Sequence, residues 1–248
     1  VLDVPLKFKK AFSVSPKESS VYIKKCLALG HELCLQRKIG GIINCSINKR
    51  NVFKNKNLGI TEFLAKKNNI YNSEVMIIYN KKLSVVPLTT HIKVKEIPKF
   101  LKKELIIKKI DTLNKFYFRY FNKKPRIAIL GLNPHNFELK KNSEEIKIIL
   151  PAIKNLKKKY KISGPYPSDT IFFRENLKKF DVIVGMYHDQ VLAPFKALFG
   201  FDAVNITLGL PYIRMSPDHG VALDKKKLNI SSPESLNKCI EIISKLIK

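Results

Sequence analysis

Five histidines are the residues of this chain best suited to metal chemistry. Three of them, His91, His135 and His188, each follow an apolar, strand-like run. Imidazole is a preferred ligand of zinc and similar divalent metals, and a site with three protein ligands leaves positions open for a substrate. We therefore interpret these three as candidate metal ligands. His31 lies within an apolar helical pattern and is interpreted as structural, whereas His219 occupies another tight polar loop and is a further candidate.

A second set of residues is suited to binding an anion. Lys196, Asn205 and Arg214 flank strand-like segments in the C-terminal third of the chain. Arg214 stands out because only six of the 47 basic residues are arginine, and a planar guanidinium can bind a carboxylate or phosphate through two parallel hydrogen bonds. Two carboxylates accompany these sets. Asp169, in a proline-rich loop, is placed to assist a metal or a proton transfer, and Asp189 is placed to orient or polarise the preceding histidine ring.

The elements that must position these residues alternate between strands and helices. Apolar runs predict strands at residues 42–45, 75–79, 83–88, 126–132, 181–186 and 203–208, the last being the final strand. Amphipathic patterns and capping residues predict helices from Ser15 to about residue 40, over 97–120, from Ser143 to about 159, and over 233–247. This alternation predicts an α/β fold with a mostly parallel sheet and flanking helices. Because ligands of open α/β sheets gather at the carboxyl ends of strands, we expect the three histidines to converge on one site.

The composition is dominated by lysine, and the formal net charge is +27 over 248 residues. Strong positive charge is typical of nucleic-acid-binding proteins, but such proteins usually use the planar fork of arginine to contact bases and phosphates. A chain rich in lysine, asparagine, isoleucine and phenylalanine and without tryptophan is instead typical of AT-rich coding. We therefore predict a solvated lysine surface and no nucleic-acid partner, with a positive field that draws anionic substrates towards a cleft.

Cysteine spacing and hydropathy indicate the compartment. The four cysteines lie far apart and show neither the spacing of a zinc ligand set nor that of a disulfide framework, which favours a reducing compartment. No apolar run approaches the roughly 20 residues that span a bilayer, and no secretory leader is recognisable. We therefore predict a cytoplasmic protein without a membrane partner.

Several segments, taken in order along the chain, resemble one family of enzymes. The segments are SINK (46–49), TEFL (61–64), TTH (89–91), LNPH (132–135), GPYPSDT (164–170), MYHDQ (186–190), VNITLGLP (204–211) and IRMSPDHG (213–220). Together they resemble the 4-hydroxythreonine-4-phosphate dehydrogenases, and the resemblance covers nearly the whole chain. An ordered set of this kind is far more specific than any single motif within it.

The resemblance implies the isocitrate and isopropylmalate dehydrogenase type of fold, with residues 1–248 as one catalytic unit of two interleaved lobes. It implies a homodimer in which a divalent metal (zinc, magnesium or cobalt) is held at the subunit interface by ligands from both subunits. The metal ligands would be His91, His135 and His188. The substrate contacts would come from Thr61, Lys196, Asn205 and Arg214.

The resemblance also implies a reaction. NAD or NADP would oxidise the 3-hydroxyl of 4-phosphohydroxy-L-threonine to a β-keto acid, which decarboxylates to 3-amino-1-hydroxyacetone phosphate in vitamin B6 biosynthesis. The metal would lower the pKa of the substrate hydroxyl and stabilise the charge that develops as carbon dioxide departs. Either Asp169 or Asp189 would take the proton. The sequence has no glycine-rich dinucleotide fingerprint, so the cofactor-binding residues stay unassigned.

Three departures from the family pattern keep alternatives open. Ile60 replaces a histidine that usually precedes the Thr-Glu pair, and an isoleucine side chain cannot donate a hydrogen bond in its place. Residues 136–142 replace a glycine-rich loop, and nothing corresponds to the family's opening segment, so we expect a fragment or a shortened gene. The alternatives are a dehydrogenase of another four-carbon phosphorylated acid (threonate or erythronate 4-phosphate), an inactive remnant, and a basic nucleic-acid-binding module.

Overall fold

The computed structural model describes residues 1–10, 13–53, 59–70, 72–221 and 232–247. Eight strands lie in this part of the chain. They are β1 (Gly41–Ile43), β2 (Val75–Tyr79), β3 (Ser84–Thr89), β4 (Ile127–Leu130), β5 (Ile162–Tyr166), β6 (Val182–Tyr187), β7 (Val204–Leu208) and β8 (Ile213–Pro217). They form one sheet in the order β1-β8-β7-β2-β3-β6-β4-β5.

Parallel pairing predominates in this sheet. β1 pairs with β8, and β3, β6, β4 and β5 form a continuous parallel block. β2 and β7 each run antiparallel to both neighbours in the middle of the sheet. Four of the seven pairings between described strands are therefore parallel, which confirms the predicted α/β fold with a mostly parallel sheet.

Helices flank the sheet on both faces. They are α1 (Pro16–Leu35), α2 (Lys49–Phe53), α3 (Ile60–Lys67), α4 (Ile97–Phe100), α5 (Lys103–Phe121), α6 (Leu150–Leu156), α7 (Arg174–Leu177), α8 (His188–Phe199) and α9 (Glu234–Leu246). α1 begins as predicted, because Oγ of Ser15 accepts from the amide of Glu18 at 3.2 Å and the Glu18 carboxylate accepts from the amide of Ser15 at 3.3 Å. Among the helices in the described residues, none is both long and apolar enough to cross a membrane.

Side chains alternate across the sheet and supply two apolar cores. Val75 and Ile77 point to one face, where they pack in a cluster with α5, α6 and α9. Met76 and Ile78 point to the other face and pack in a cluster with α8. A third cluster joins α1, α2 and α3 around Leu64. These three clusters bury the apolar residues of the strands and helices. The polar residues of the segments that connect the strands and helices therefore remain available to form a site.

The structure corrects four details of the predicted elements. β8 follows the strand that was predicted to be the last, because Gly209, with φ of 95°, reverses the chain after β7. β5 forms across residues 164–165, a Gly-Pro pair that indicates a loop in the sequence. His188 begins α8 and does not occupy a loop. The long central helix is divided into α4 and α5 by extended backbone at Leu101 and Lys102.

Candidate active site

A cavity of about 380 Å³ lies where α3 and α8 approach β7 and β8. The segments that follow β3 and β6 also reach it, so distant parts of the chain face one space. Seven of the ten residues named as candidates for the site line this cavity. They are Thr61, His91, His188, Lys196, Asn205, Arg214 and His219. Lys49, Glu62 and Asp218 line it as well, although sequence reasoning gave these three no role.

Two histidines lie side by side at the cavity. The ring centroids of His91 and His188 are 6.3 Å apart. In each ring Nδ1 contacts a carboxylate: that of His91 lies 3.2 Å from Oε1 of Glu62, and that of His188 lies 2.7 Å from Oδ1 of Asp189. Histidines that bind metals commonly donate their second N–H to such a carboxylate, which fixes the tautomer and leaves the other nitrogen for the metal. The donor chemistry of this pair therefore fits a divalent metal.

Glu62 anchors the His91 ring. Its carboxylate also accepts hydrogen bonds from the Gly59 amide at 2.7 Å and from the Thr90 hydroxyl at 3.4 Å. Burial by itself raises the pKa of this carboxyl, but the hydrogen bond and charge of His91, together with backbone N–H groups, lower the pKa to about 2. Glu62 is therefore ionised at neutral pH. Its only signal in the sequence was its place in the TEFL segment, directly after Thr61.

A lysine from α2 lies on the other side of the His91 ring. Nζ of Lys49 is 3.1 Å from Nε2 of His91. In the tautomer that donates Nδ1–H to Glu62, Nε2 offers a lone pair to the ammonium group. A positive group therefore already lies beside the nitrogen that a metal would use.

Arg214 is buried against the cavity, with 3% of its surface exposed. Nε donates to Oδ1 of Asn44 at 2.8 Å, and Nη1 donates to Oγ1 of Thr207 at 3.1 Å and to Oγ1 of Thr61 at 3.5 Å. Burial lowers the pKa of this guanidinium to about 10, and the Glu62 carboxylate opposes the shift, so Arg214 stays charged at neutral pH. Its Nη2 group has no hydrogen-bond partner among the described residues, which leaves the two N–H donors of this nitrogen for an anion.

Lys196 and Asn205 complete the polar wall of the cavity. Nζ of Lys196 donates to the Asp218 carboxylate and, at 2.7 Å, to the Asp218 backbone carbonyl oxygen. Burial raises the pKa of the Asp218 carboxyl, although Lys196 opposes the change. Oδ1 of Asn205 is buried and has no hydrogen-bond partner within the described ranges. A buried oxygen of this kind is satisfied by a donor from a ligand or an ordered water.

Three predicted residues do not line this cavity. His135 and Asp169 are exposed and follow β4 and β5, at the far edge of the sheet. Asp189, whose side chain is 82% exposed, reaches the site only through its contact with His188. In the part of the chain that the structure describes, no three histidine, cysteine, aspartate or glutamate side chains lie close enough together to hold a metal. One copy of the chain thus brings together two of the three predicted metal ligands.

His135 lies in a left-handed turn. Residues 135–139 all have positive φ, between 47° and 55°, although none of them is glycine. This backbone is disfavoured for L-residues because Cβ crowds the following carbonyl oxygen. The buried Glu145 carboxylate accepts two backbone N–H groups of the preceding segment at 2.8 Å each, and Asn136 donates to the backbone of β5 at 3.1 Å. His135 is therefore presented to solvent on an anchored support.

Ile60 is a buried part of the cavity wall, with 6% of its surface exposed. Its side chain belongs to the apolar cluster around Leu64. Because it offers no hydrogen-bond donor, this part of the wall is apolar. The departure noted in the sequence therefore changes the chemistry of the cavity itself.

The α/β sheet brings two imidazoles, a buried arginine and a lysine together at one cavity. This combination is typical of an enzyme that acts on a small anion. Comparison with known proteins identifies which enzymes these are. A family model described as "Pyridoxal phosphate biosynthetic protein PdxA" matches residues 1–243. The chain belongs to the PdxA family.

Curated relatives carry dehydrogenase names. The "4-hydroxythreonine-4-phosphate dehydrogenase" of Sulfurihydrogenibium sp. is 38% identical over an alignment of 245 positions, which covers 97% of this chain and 74% of the relative. The protein of the same name from Aquifex aeolicus is 40% identical over an alignment of 240 positions, which covers 94% of this chain and 72% of the relative. A "D-threonate 4-phosphate dehydrogenase" of Pectobacterium atrosepticum is 32% identical over an alignment of 252 positions, which covers 99% of this chain and 77% of the relative. The chain is therefore an oxidoreductase of this family.

Solved structures agree with this assignment. A 4-hydroxythreonine-4-phosphate dehydrogenase from Klebsiella pneumoniae superposes with a TM-score of 0.79 at 32% identity, covering 94% of this chain and 72% of that one. A terephthalate 1,2-cis-dihydrodiol dehydrogenase from Burkholderia xenovorans, at 18% identity and a TM-score of 0.69, shares the fold alone. The predicted fold class is thus confirmed.

Proposed function

We propose that this chain is a metal- and NAD(P)-dependent 4-hydroxythreonine-4-phosphate dehydrogenase, which oxidises the 3-hydroxyl of 4-phosphohydroxy-L-threonine. The β-keto acid decarboxylates to 3-amino-1-hydroxyacetone phosphate, a step in vitamin B6 biosynthesis. One observation carries the proposal: in a member of the PdxA family, a single cavity joins two carboxylate-anchored histidines to a buried, charged arginine.

The donors of the cavity match a substrate with a phosphate and a carboxylate. Arg214 binds one anionic end through the N–H donors of Nη2, which make charge-assisted hydrogen bonds. Lys196, held by Asp218, supplies a second positive charge. Oδ1 of Asn205 accepts from a substrate hydroxyl or ammonium group, and the Thr61 hydroxyl lies beside Arg214. These contacts would orient the substrate so that its 3-hydroxyl faces the histidines.

The metal would be held by His91 and His188 of one subunit and by the partner's His135 in a homodimer. Two features support this arrangement: no three candidate ligands among the described residues of one chain lie close enough together to hold a metal, and His135 is exposed on an anchored turn. Glu62 and Asp189 keep the two imidazoles in the orientation and tautomer that a metal requires. A bound zinc, cobalt or magnesium ion lowers the pKa of a substrate hydroxyl.

Asp169 and Asp189 remain the candidate proton acceptors. Asp189 already touches His188, so its carboxylate lies at the edge of the site. Asp169 follows β5, the strand to which the His135 turn is anchored through Asn136. Asp169 would therefore enter the site together with the partner's His135. The nicotinamide cofactor takes up the hydride, as in other dehydrogenases of this kind.

A second candidate substrate is D-threonate 4-phosphate. Ile60 favours it, because the apolar wall removes a hydrogen-bond donor at a position where the family usually has one. The Pectobacterium relative, named for that substrate, matches nearly the whole chain. Both substrates share the phosphate, the carboxylate and the 3-hydroxyl, so the two candidates use the same cations and histidines.

The test is NADH or NADPH formation by the purified chain with each substrate, with added cobalt, zinc or magnesium and again after chelation. Metal-dependent turnover of 4-phosphohydroxythreonine that is lost in His91→Ala supports the proposal. Turnover of D-threonate 4-phosphate alone would select the second candidate. A folded, metal-loaded dimer that oxidises neither substrate would refute both.

A mixing experiment tests whether the site is shared between subunits. His91→Ala and His135→Ala each damage both sites of a homodimer, but in a mixed dimer both changes fall in one site and the other is intact. Subunit exchange between equal amounts should restore about a quarter of the wild-type activity for a two-fold symmetric dimer. The control, His91→Ala with His188→Ala, should restore none, because both ligands come from the same chain. No recovery in the first mixture would show that His135 does not act across the interface.

A further inference from the structure

A buried lysine lies behind the histidines of the proposed site. Lys109, on α5, has 8% of its surface exposed, although lysine is rarely buried without a partner. Its ammonium group donates to the backbone carbonyl oxygen of Leu88 at 2.9 Å. Leu88 lies near the end of β3, three residues before His91. Among the described residues, Lys109 is the only charged side chain that α5 buries. It is bonded to the end of β3, and this strand leads to the candidate ligand His91.

Two carboxylates influence the charge of Lys109. Burial lowers the pKa of Lys109, and the charges of Glu74, just before β2, and of Glu62, on α3, oppose the change. Oε2 of Glu74 is buried and has no hydrogen-bond partner among the described residues. The direct contact of Lys109 in this region is therefore its hydrogen bond to the Leu88 carbonyl oxygen.

The strand end that Lys109 holds also contacts the second histidine's strand. Thr89, the last residue of β3, donates from Oγ1 to the carbonyl oxygen of Met186 at 2.7 Å and pairs in register with Tyr187. His188 follows immediately. This hydrogen bond and the strand pairing join the carboxyl ends of β3 and β6, and the two histidines follow these joined ends.

We propose that Lys109 is a positioning residue for the metal-binding histidines: its buried ammonium fixes the end of β3 through Leu88, and with it the segment that holds His91 against Glu62. The inference rests on the proposed metal site. Its physical basis is that a buried hydrogen bond from a charged donor holds a backbone carbonyl group in place, and that its loss is costly. Without the ammonium, the Leu88 carbonyl loses this donor.

The experiment compares Lys109→Met with Lys108→Met. Both substitutions remove one positive charge from α5 and keep the length of the side chain, but Lys108 is exposed, whereas Lys109 is buried and bonded to Leu88. The first measurement is cobalt binding, followed by absorption of the bound ion. Lys109→Met should raise the cobalt Kd about 10-fold, in the range seen when residues that support metal ligands are lost, and Lys108→Met should leave it within about twofold.

A second measurement needs no metal. Amide hydrogen exchange over residues 86–91 should become faster in Lys109→Met and stay unchanged in Lys108→Met, because only the former frees the end of β3. If the wild-type chain binds no cobalt, the proposed metal site is wrong, and hydrogen exchange alone decides whether Lys109 holds the strand. Unchanged exchange together with unchanged cobalt affinity would overturn the inference.

The double variant Lys109→Met/Glu74→Gln separates positioning from simple charge balance, and it also serves if the single variant fails to fold. If Lys109 acts on His91 through Leu88 and Glu62, the double variant should fold and still bind cobalt weakly. Full recovery of the wild-type cobalt affinity would show that Lys109 only neutralises Glu74, and would overturn the inference.

Discussion

Replacing Arg214 with lysine tests whether the shape of the buried cation, and not only its charge, selects the substrate. The guanidinium contacts Asn44, Thr61 and Thr207 on one side and leaves the Nη2 group for an anion. A lysine keeps the positive charge, but its ammonium group has only three N–H donors, which cannot hold those three oxygens and also donate to an anion. We therefore expect the variant to fold and to bind the substrate poorly.

The size of the effect follows from the contacts that are lost. One charge-assisted hydrogen bond to the substrate contributes about 1.5–3 kcal/mol. Because about 1.4 kcal/mol corresponds to a factor of ten, kcat/KM should fall about 10- to 150-fold. The anion is bound both before and during the reaction, so most of the loss should appear as a higher KM with kcat little changed.

The assay is steady-state NADH formation, with thermal unfolding as a check on the fold. Arg174→Lys is the matched control, because Arg174 is exposed on α7, away from the cavity, and should behave like the wild type. A kcat/KM for Arg214→Lys within about threefold of the wild type would refute the proposed contact between Nη2 of Arg214 and the substrate anion. A fall in kcat at constant KM would instead place Arg214 near the reacting carbon.

Three other substitutions test the supports of the site and of the sheet. Glu62→Gln should weaken cobalt binding about 10- to 100-fold in a calorimetric titration, because a neutral amide orients the adjacent imidazole less well; an unchanged affinity would contradict that role. Asp181 is half-buried, which raises its pKa, but hydrogen bonds from Arg126 and Lys123 lower the pKa from 3.8 to about 2. Its contribution to the free energy of unfolding is thus present above the ordinary pKa and lost as the pH falls through about 2, so Asp181→Asn should be less stable than the wild type at about pH 6 and approach its stability as the pH falls to about 2 in urea denaturation. A stability gap that persists in acid would contradict this. Glu145→Gln should lower the Tm by roughly 2–8 °C in calorimetry, since the two backbone N–H groups on Oε1 lose a charged acceptor and the amide nitrogen cannot accept from the Asn133 side chain as Oε2 does; an unchanged Tm would show that the loop does not depend on these bonds.

The fold was predictable where apolar runs were continuous. β2, β4 and β6 are buried on both faces, and their sequences contain little else than branched and apolar residues. β5 was not predictable, because its Gly-Pro pair resembles a loop and the pairing with β4 supplies what local propensity lacks. β8 was missed for a similar reason: its serine and arginine indicate a polar segment, whereas Arg214 is buried through hydrogen bonds that only the folded chain provides.

The site was predictable to the extent that topology alone decides it. His91 and His188 follow neighbouring parallel strands, so their convergence could be expected from the alternation of strands and helices. The groups that hold them could not. Lys109 is one lysine among many, and only the packing of α5 shows that it is buried. Gln190, in the MYHDQ segment, joins the backbone of Met186 to that of Gly131, and its position in the sequence gave no sign of this role.

The left-handed turn at residues 135–139 limits how many destabilising substitutions this protein can accumulate. Each residue in that conformation costs roughly 1–2 kcal/mol, and a whole domain has only about 5–15 kcal/mol of net stability. A chain that accepts this cost in one loop lies closer to its stability threshold, so fewer destabilising substitutions elsewhere are neutral. Substitutions that relieve the turn, such as glycine for the exposed Phe137, would widen the set of mutations that the rest of the protein tolerates.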